Sequence, residues 1–241
     1  MKRNQSGFTL IEIAIVLVII GLLLGGVLKG QELINSAKVK NLATDFRNIP
    51  VFIYGYQDKF RSLPGDDANV GDHLGGVCAN ATAGTPSSSP CYASTGPVGN
   101  GIINGNWNTT DTNDESYRFW QQVRVAGLTS GSTTAGAADY LPVNAAGGLI
   151  GIQSGTSDPT KTPVKDASSA AIRGTYIICS PNILGKFAKQ LDIQLDDGNT
   201  ATGSMMAGLA SAAPGTPMTA APLTGAGAID DAAVYTVCMG V

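Results

Sequence analysis

Two apolar patterns follow one another along the first quarter of the chain. From Phe8 to Leu28 almost every position is apolar, interrupted only by Thr9, Glu12 and glycines. This run has no polar face. At about 1.5 Å per residue it is long enough to cross a hydrocarbon layer of roughly 30 Å. Beyond Lys29 the pattern narrows to a stripe. Leu42, Phe46, Ile49, Ile53, Tyr56 and Phe60 recur at spacings of three and four, as on one face of an amphipathic helix. Leu63-Pro64-Gly65 closes it, because the residue before proline disfavours helix and Pro-Gly marks a turn. The pattern predicts one helix from about Phe8 to Arg61, roughly 80 Å long, with a kink at Pro50.

After residue 63 the patterns are short and mixed. Residues 64–111 read as loops. A helix is predicted from Asp114 to Leu128, capped by Asn113 or Asp114, with Phe119, Trp120, Val123 and Leu128 toward a core. Leu149–Ile152 and Thr175–Cys179 read as buried strands, and Ala233–Cys238 as a closing strand. Pro181 to Leu191 reads as a short helix capped by Ser180, with proline in its first turn. The stretch from Thr200 to Ala228 is of low complexity. A long apolar helix beside a head of strands, helices and loops makes the fold class α+β.

Composition narrows the setting. Among 241 residues only 14% are charged, the net charge is −3, and there are 31 glycines. No basic stripe is present to displace phosphate counter-ions, so no nucleic-acid partner is expected. The four cysteines, Cys78, Cys91, Cys179 and Cys238, form no C-x-x-C pair, and His73 is the single histidine. A zinc site of the usual kinds is therefore not expected. An even cysteine count behind an export segment reads as two disulfides. Three pairings exist. Cys78–Cys91, closing a short loop, and Cys179–Cys238, joining two strand-like segments, are favoured over the others and over free thiols.

Glu12 changes the picture most. A carboxylate within an apolar span costs about 2.5–3.5 kcal/mol at the centre and less near the end. It marks a functional site and needs a partner. No Lys or Arg stands between Arg3 and Lys29. An ordinary secretory signal has a shorter apolar region followed by a small-residue cleavage site; none follows before Lys29. A plain anchor accounts for the length but not for the acid.

Gly7-Phe8-Thr9-Leu10-Ile11-Glu12, behind the basic head Lys2-Arg3, resembles the processing motif of type IV prepilins. The resemblance covers mainly residues 1–60. It implies that a membrane prepilin peptidase cuts between Gly7 and Phe8 and methylates the new N-terminus at Phe8. Residues 1–7 are then a leader, 8–62 the long helix with 8–28 as membrane span and filament core, and 63–241 the globular head. Glu12 becomes the fifth mature residue, whose carboxylate in that family pairs with the N-terminal amine of a neighbouring subunit during assembly. A charge in lipid gains by meeting its opposite away from water. Ser6 stands where many relatives have Lys or Arg, and Lys29 where many have a proline. Gly21, Gly25 and Gly26 allow residues 21–29 to unwind in a filament; equally, Gly21 and Gly25 form a G-x-x-x-G packing face.

The implied partners are other copies in a helical filament, the peptidase, the inner-membrane assembly machinery and, before assembly, the membrane. The implied location is the inner membrane and then an extracellular filament. The sister reading is a type II secretion pseudopilin in a short periplasmic fibre. A third reading, a membrane-anchored receptor or enzyme, finds no residue set to support it: no nucleophile elbow, phosphate loop or metalloprotease motif occurs, and His73 in its polar loop reads as solvated. No enzymatic activity and no cofactor is expected, calcium excepted. Asp192, Asp196, Asp197 and Asn199 form one oxygen-rich cluster, with Asp196, Asp197 and Asn199 as the candidate calcium ligands. Asp66, Asp67, Asn69 and Asp72 form another. Both contain calcium-type ligands, although neither has EF-hand spacing, and both also suit plain turns.

Overall fold

Leu10–Phe60 forms one α-helix of 51 residues, α1, in a computed structural model that describes residues 9–79, 91–209 and 215–241. The helix runs through Pro50 without a break. Proline there removes one main-chain hydrogen bond but leaves the flanking turns to propagate. The chain divides into two compact units, Met1–Lys40 and Asn41–Val241.

From Leu10 onward the first unit is helix. From Leu10 to Leu28 its apolar side chains are exposed, Leu10, Leu17, Leu22 and Leu28 among them, and Gly21, Gly25 and Gly26 face open space.

In the second unit the helix stripe becomes core. Leu42, Ala43, Phe46, Ile49, Ile53 and Tyr56 are buried, while Val51 and Tyr54 on the other side are exposed. Phe60 is half-buried. Around this stripe stand α2 (Val70–Leu74), α3 (Glu115–Val125) and α4 (Gly185–Leu195). The strands are β1 (Gly151–Ser154), β2 (Val164–Lys165), β3 (Tyr176–Leu184), β4 (Met205–Gly208), β5 (Met218–Thr219) and β6 (Val234–Gly240). Four of them make an antiparallel sheet in the order β1-β3-β6-β4, and β2 and β5 form a short parallel pair. Long apolar helix and antiparallel head together give the α+β, pilin-like arrangement that the resemblance implies.

Both cysteine pairs are closed. Cys179 and Cys238 lie directly opposite each other on β3 and β6, within a core of Val164, Ile177, Met206 and Met218. Cys78 and Cys91 join beneath Val70 and Tyr92. Of the residues between them, 80–90 lie outside the described ones.

Three sequence readings need correction. The helix expected from Pro181 is instead the second half of β3, and α4 starts only at Gly185. Ser180 cannot cap a helix because its hydroxyl accepts the Asn144 side-chain N–H at 2.6 Å. The same Nδ2 donates to the Pro181 carbonyl at 2.8 Å. The register shifts between Ser180 and Ile183, and Asn182 takes the left-handed φ of 64°. A bulge of this kind tolerates a proline that has no N–H to give. Second, the low-complexity stretch contains two strands. β4 lies at the sheet edge with Met205, Met206 and Ala207 buried. Third, α3 ends at Val125 and Leu128 is only half-buried. Asp114 sits at its N-cap without capping it, since its carboxylate accepts the Thr109 hydroxyl at 2.6 Å.

Candidate functional site

The residues that start α1 come first. Thr9 precedes the first helical turn and Glu12 closes it. Glu12 Oε2 accepts the Thr9 main-chain N–H at 2.8 Å and the Thr9 hydroxyl at 2.7 Å, and the Glu12 N–H donates back to Thr9 Oγ1 at 3.3 Å. This reciprocal arrangement is a capping box. It satisfies helix donors that have no partner inside the helix, and it turns the carboxylate back toward the chain's N-terminal side. The sequence reading found the acid but missed its cap, although the T-x-x-E spacing of Thr9 and Glu12 is the signal for one. Gly7 and Phe8, the expected processing residues, lie outside the described residues. Beyond Glu12, α1 is long and apolar enough to cross a membrane.

The prokaryotic N-terminal methylation motif, a family defined by its sequence pattern, matches residues 2–28. The chain carries the N-terminal signature of type IV pilins and pseudopilins. The match supports a pilin- or pseudopilin-like precursor, and the apolar start of α1 fits its membrane anchor. Comparison with curated proteins and with solved structures returns no match. The matched region ends before the buried stripe begins, so the head of this pilin-like chain has to be read from its own chemistry.

The first acidic cluster of the head is a structural clamp. Asp66 is buried and accepts the main-chain N–H groups of Gly99, Asn100 and Gly101, the last two at 3.2 and 2.6 Å. Asp67 is also buried. It accepts the Tyr56 hydroxyl at 2.7 Å, the Asn69 N–H at 2.9 Å and His73 Nδ1 at 2.8 Å. Burial, with the Asp67 charge beside it, pushes the Tyr56 hydroxyl well above its ordinary pKa. His73 is therefore no solvated loop histidine. It belongs to α2, its side chain is 26% exposed, and its ring stacks on Phe60. Together these contacts tie the loop at 99–101 and α2 to the end of α1. Gly65 makes the turn between them, at φ 94°, where a Cβ would stand 2.6 Å from the Glu115 carbonyl oxygen. Only glycine suits that combination.

The second cluster is arranged otherwise. Asp196 Oδ2 accepts the N–H groups of Ser204 and Met205 at 2.6 and 2.8 Å. Asp197 accepts the Asn199 N–H at 2.8 Å and the Thr202 hydroxyl at 3.2 Å. Asn199 spends its side-chain oxygen on the Ala201 N–H at 3.3 Å. The group that joins Asp196 and Asp197 is Asp192, on the last turns of α4, which brings one oxygen of each within 4.8 Å of the others. Asp192 has no exposed surface, and burial, reinforced by Asp197 and Asp196, pushes its carboxyl up to about 7.

Proposed function

We propose that this chain is the structural subunit of an extracellular type IV pilus. A prepilin peptidase cuts after Gly7 and methylates Phe8. The inner-membrane assembly machinery then draws the precursor from the bilayer into a helical filament of identical copies. The observation that carries this reading is the uncovered apolar surface of α1, from Leu10 to Leu28, with a single capped carboxylate at its head. In the precursor, lipid covers that surface. Once the chain leaves the bilayer, only the same surface on other copies can replace lipid without exposing apolar area to water. Glu12 then meets the new ammonium of Phe8, in its own copy or the next, and neither charge stays unpaired in an apolar medium. Two disulfides hold the head, and we assign it no catalytic role.

Mass spectrometry of the mature N-terminus, combined with electron microscopy of the cell surface, tests the proposal. Long filaments built of a chain beginning at methylated Phe8 support it. A chain still beginning at Met1 in cells with an active peptidase overturns it. A processed chain confined to the periplasm, whose loss blocks protein secretion, would instead identify a pseudopilin.

A further inference from the structure

We infer that a small cleft between α1 and α3 binds a short α-amino acid as its zwitterion, with Asp45 taking the ammonium group and Trp120, beside Arg124, taking the carboxylate. The cleft holds about 140 Å³. That is the liquid volume of about five waters, room for a ligand of roughly five to seven non-hydrogen atoms. A drug-sized molecule needs about 300 Å³ or more. Two helices supply most of the lining. On α1, Asp45, Ile49 and Phe52 follow at spacings of four and three; on α3, Trp120 and Arg124 stand four apart. Each set therefore shares one side of its helix. Ile150, just before β1, lines the cleft as well. All these residues belong to the second unit, Asn41–Val241, so the site does not depend on how the apolar start of α1 assembles.

Three polar side chains on the cleft lack the partner that their burial demands. Trp120 is 2% exposed, and its indole N–H has no acceptor among the described residues. A buried tryptophan N–H usually has one, and leaving it without is costly. Arg124 is also buried. Its Nη1 donates to the Ser132 carbonyl at 2.8 Å and to the Tyr140 carbonyl, while Nε finds no acceptor among the described residues. Burial lowers its pKa from the ordinary value, against smaller attractions from Tyr140 and Asp139. Asp45 is half-buried and forms no hydrogen bond or ion pair among the described residues; burial alone raises its carboxyl above the ordinary range.

Asp45 and Arg124 thus face one cleft with opposite charges and do not pair with each other. That arrangement selects the ligand. A simple cation answers Asp45 and leaves the indole N–H and Arg124 unmatched. A simple anion covers Asp45 further without a counter-charge, which is costly. A neutral amide offers a donor and an acceptor but compensates neither charge. An α-amino acid brings both charges on one carbon within the available volume, and each makes a charge-assisted hydrogen bond. The apolar surfaces of Ile49, Phe52 and Ile150 suit a short uncharged side chain.

The test uses the full chain in detergent, isotope-labelled at the tryptophan nitrogens, and follows the indole N–H signals by NMR. The sequence has two tryptophans, Trp107 and Trp120, and Trp120→Phe assigns the signals by removing one. Titration with L-alanine should move the Trp120 signal downfield, saturate below about 10 mM, and leave the Trp107 signal in place. Ethylamine, acetate and acetamide each carry part of the pattern and should bind about tenfold more weakly or worse. Asp45→Asn keeps the shape and removes the charge. Its affinity for L-alanine should fall about tenfold or more, and its unliganded Tm should be no lower than that of the parent. No saturation below about 10 mM leaves the cleft to water and overturns the proposal. So does any of the three partial ligands binding as tightly as L-alanine, parental affinity in Asp45→Asn, or a Trp120 signal that stays in place while L-alanine binds.

Discussion

Glu115 Oε2 accepts both N–H groups of Asn104, the main-chain one at 2.7 Å and the side-chain one at 3.0 Å. The residue is 0% exposed and its other oxygen, Oε1, has no partner among the described residues. Burial, with a smaller push from the Asp66 charge, raises the Glu115 carboxyl to about 8 against the pull of the Asn104 bonds. The folded head therefore keeps a proton that the unfolded chain gives up near its ordinary value of 4.5. Between these two pH values the folded state binds more protons, so this group's contribution to stability is fully present at the acid end and declines as pH rises toward 8. Glu115→Gln imitates the protonated acid in shape. It should raise Tm at pH 8 by about 2–4 °C per kcal/mol recovered, with about 1–2 kcal/mol expected. It should leave Tm near pH 4.5 almost unchanged. Thermal unfolding of both proteins across that range checks the sign; a parallel offset at all pH values would contradict it.

Asp66 holds three successive main-chain amides at 99–101, close to the point where α1 ends. Charge-assisted bonds of this kind contribute about 1.5–3 kcal/mol, and a buried donor left without its acceptor costs about as much again. Asp66→Ala should cost about 3 kcal/mol or more, and Asp66→Asn less, since it keeps one acceptor oxygen. Chemical denaturation of the full chain in detergent measures both. The ordering Ala worse than Asn is the decisive part.

The two disulfides close loops of different length, 13 and 59 residues. If the main effect is on the unfolded chain, removing the longer closure costs about 4 kcal/mol and the shorter about 3 kcal/mol. Cys179 and Cys238 also face each other inside a buried cluster. The double replacement Cys179→Ala with Cys238→Ala should therefore lower stability more than Cys78→Ala with Cys91→Ala. Equal losses would mean that local packing, not chain closure, governs both.

These contacts differ in how visible they were beforehand. The stripe from Leu42 to Tyr56 was legible because a helix repeats in sequence, and Glu12 because a single charge stands out against an apolar run. β4 was not. Four residues, Met205–Gly208, lie in a stretch of Gly, Ala, Thr and Pro, and their strand character comes from pairing with β6. The false helix at Pro181 had correct local grammar: serine followed by proline does start helices. It failed because Asn144, 36 residues upstream of Ser180, takes up that hydroxyl. His73 was misread for a related reason, as its partner Asp67 and its stacking surface Phe60 are set by the fold of the turn between them.

At the head of α1, cap and charge can be separated. The capping box uses the Glu12 side chain as an acceptor for the Thr9 N–H, and glutamine serves that role as well as glutamate. Pairing with the Phe8 amine requires the negative charge. Glu12→Gln should therefore leave the helix start intact and abolish filaments while the processed monomer remains in the membrane. Thr9→Ala removes the hydroxyl that donates to Glu12 and accepts its N–H. It should cost about 1 kcal/mol of helix stability and leave polymerisation largely intact. Filament yield by shearing and microscopy, read beside the membrane pool of processed subunit, distinguishes the two. Filaments from Glu12→Gln at the parental level, with Thr9→Ala defective, would show that Glu12 serves as a helix cap and not as a counter-ion.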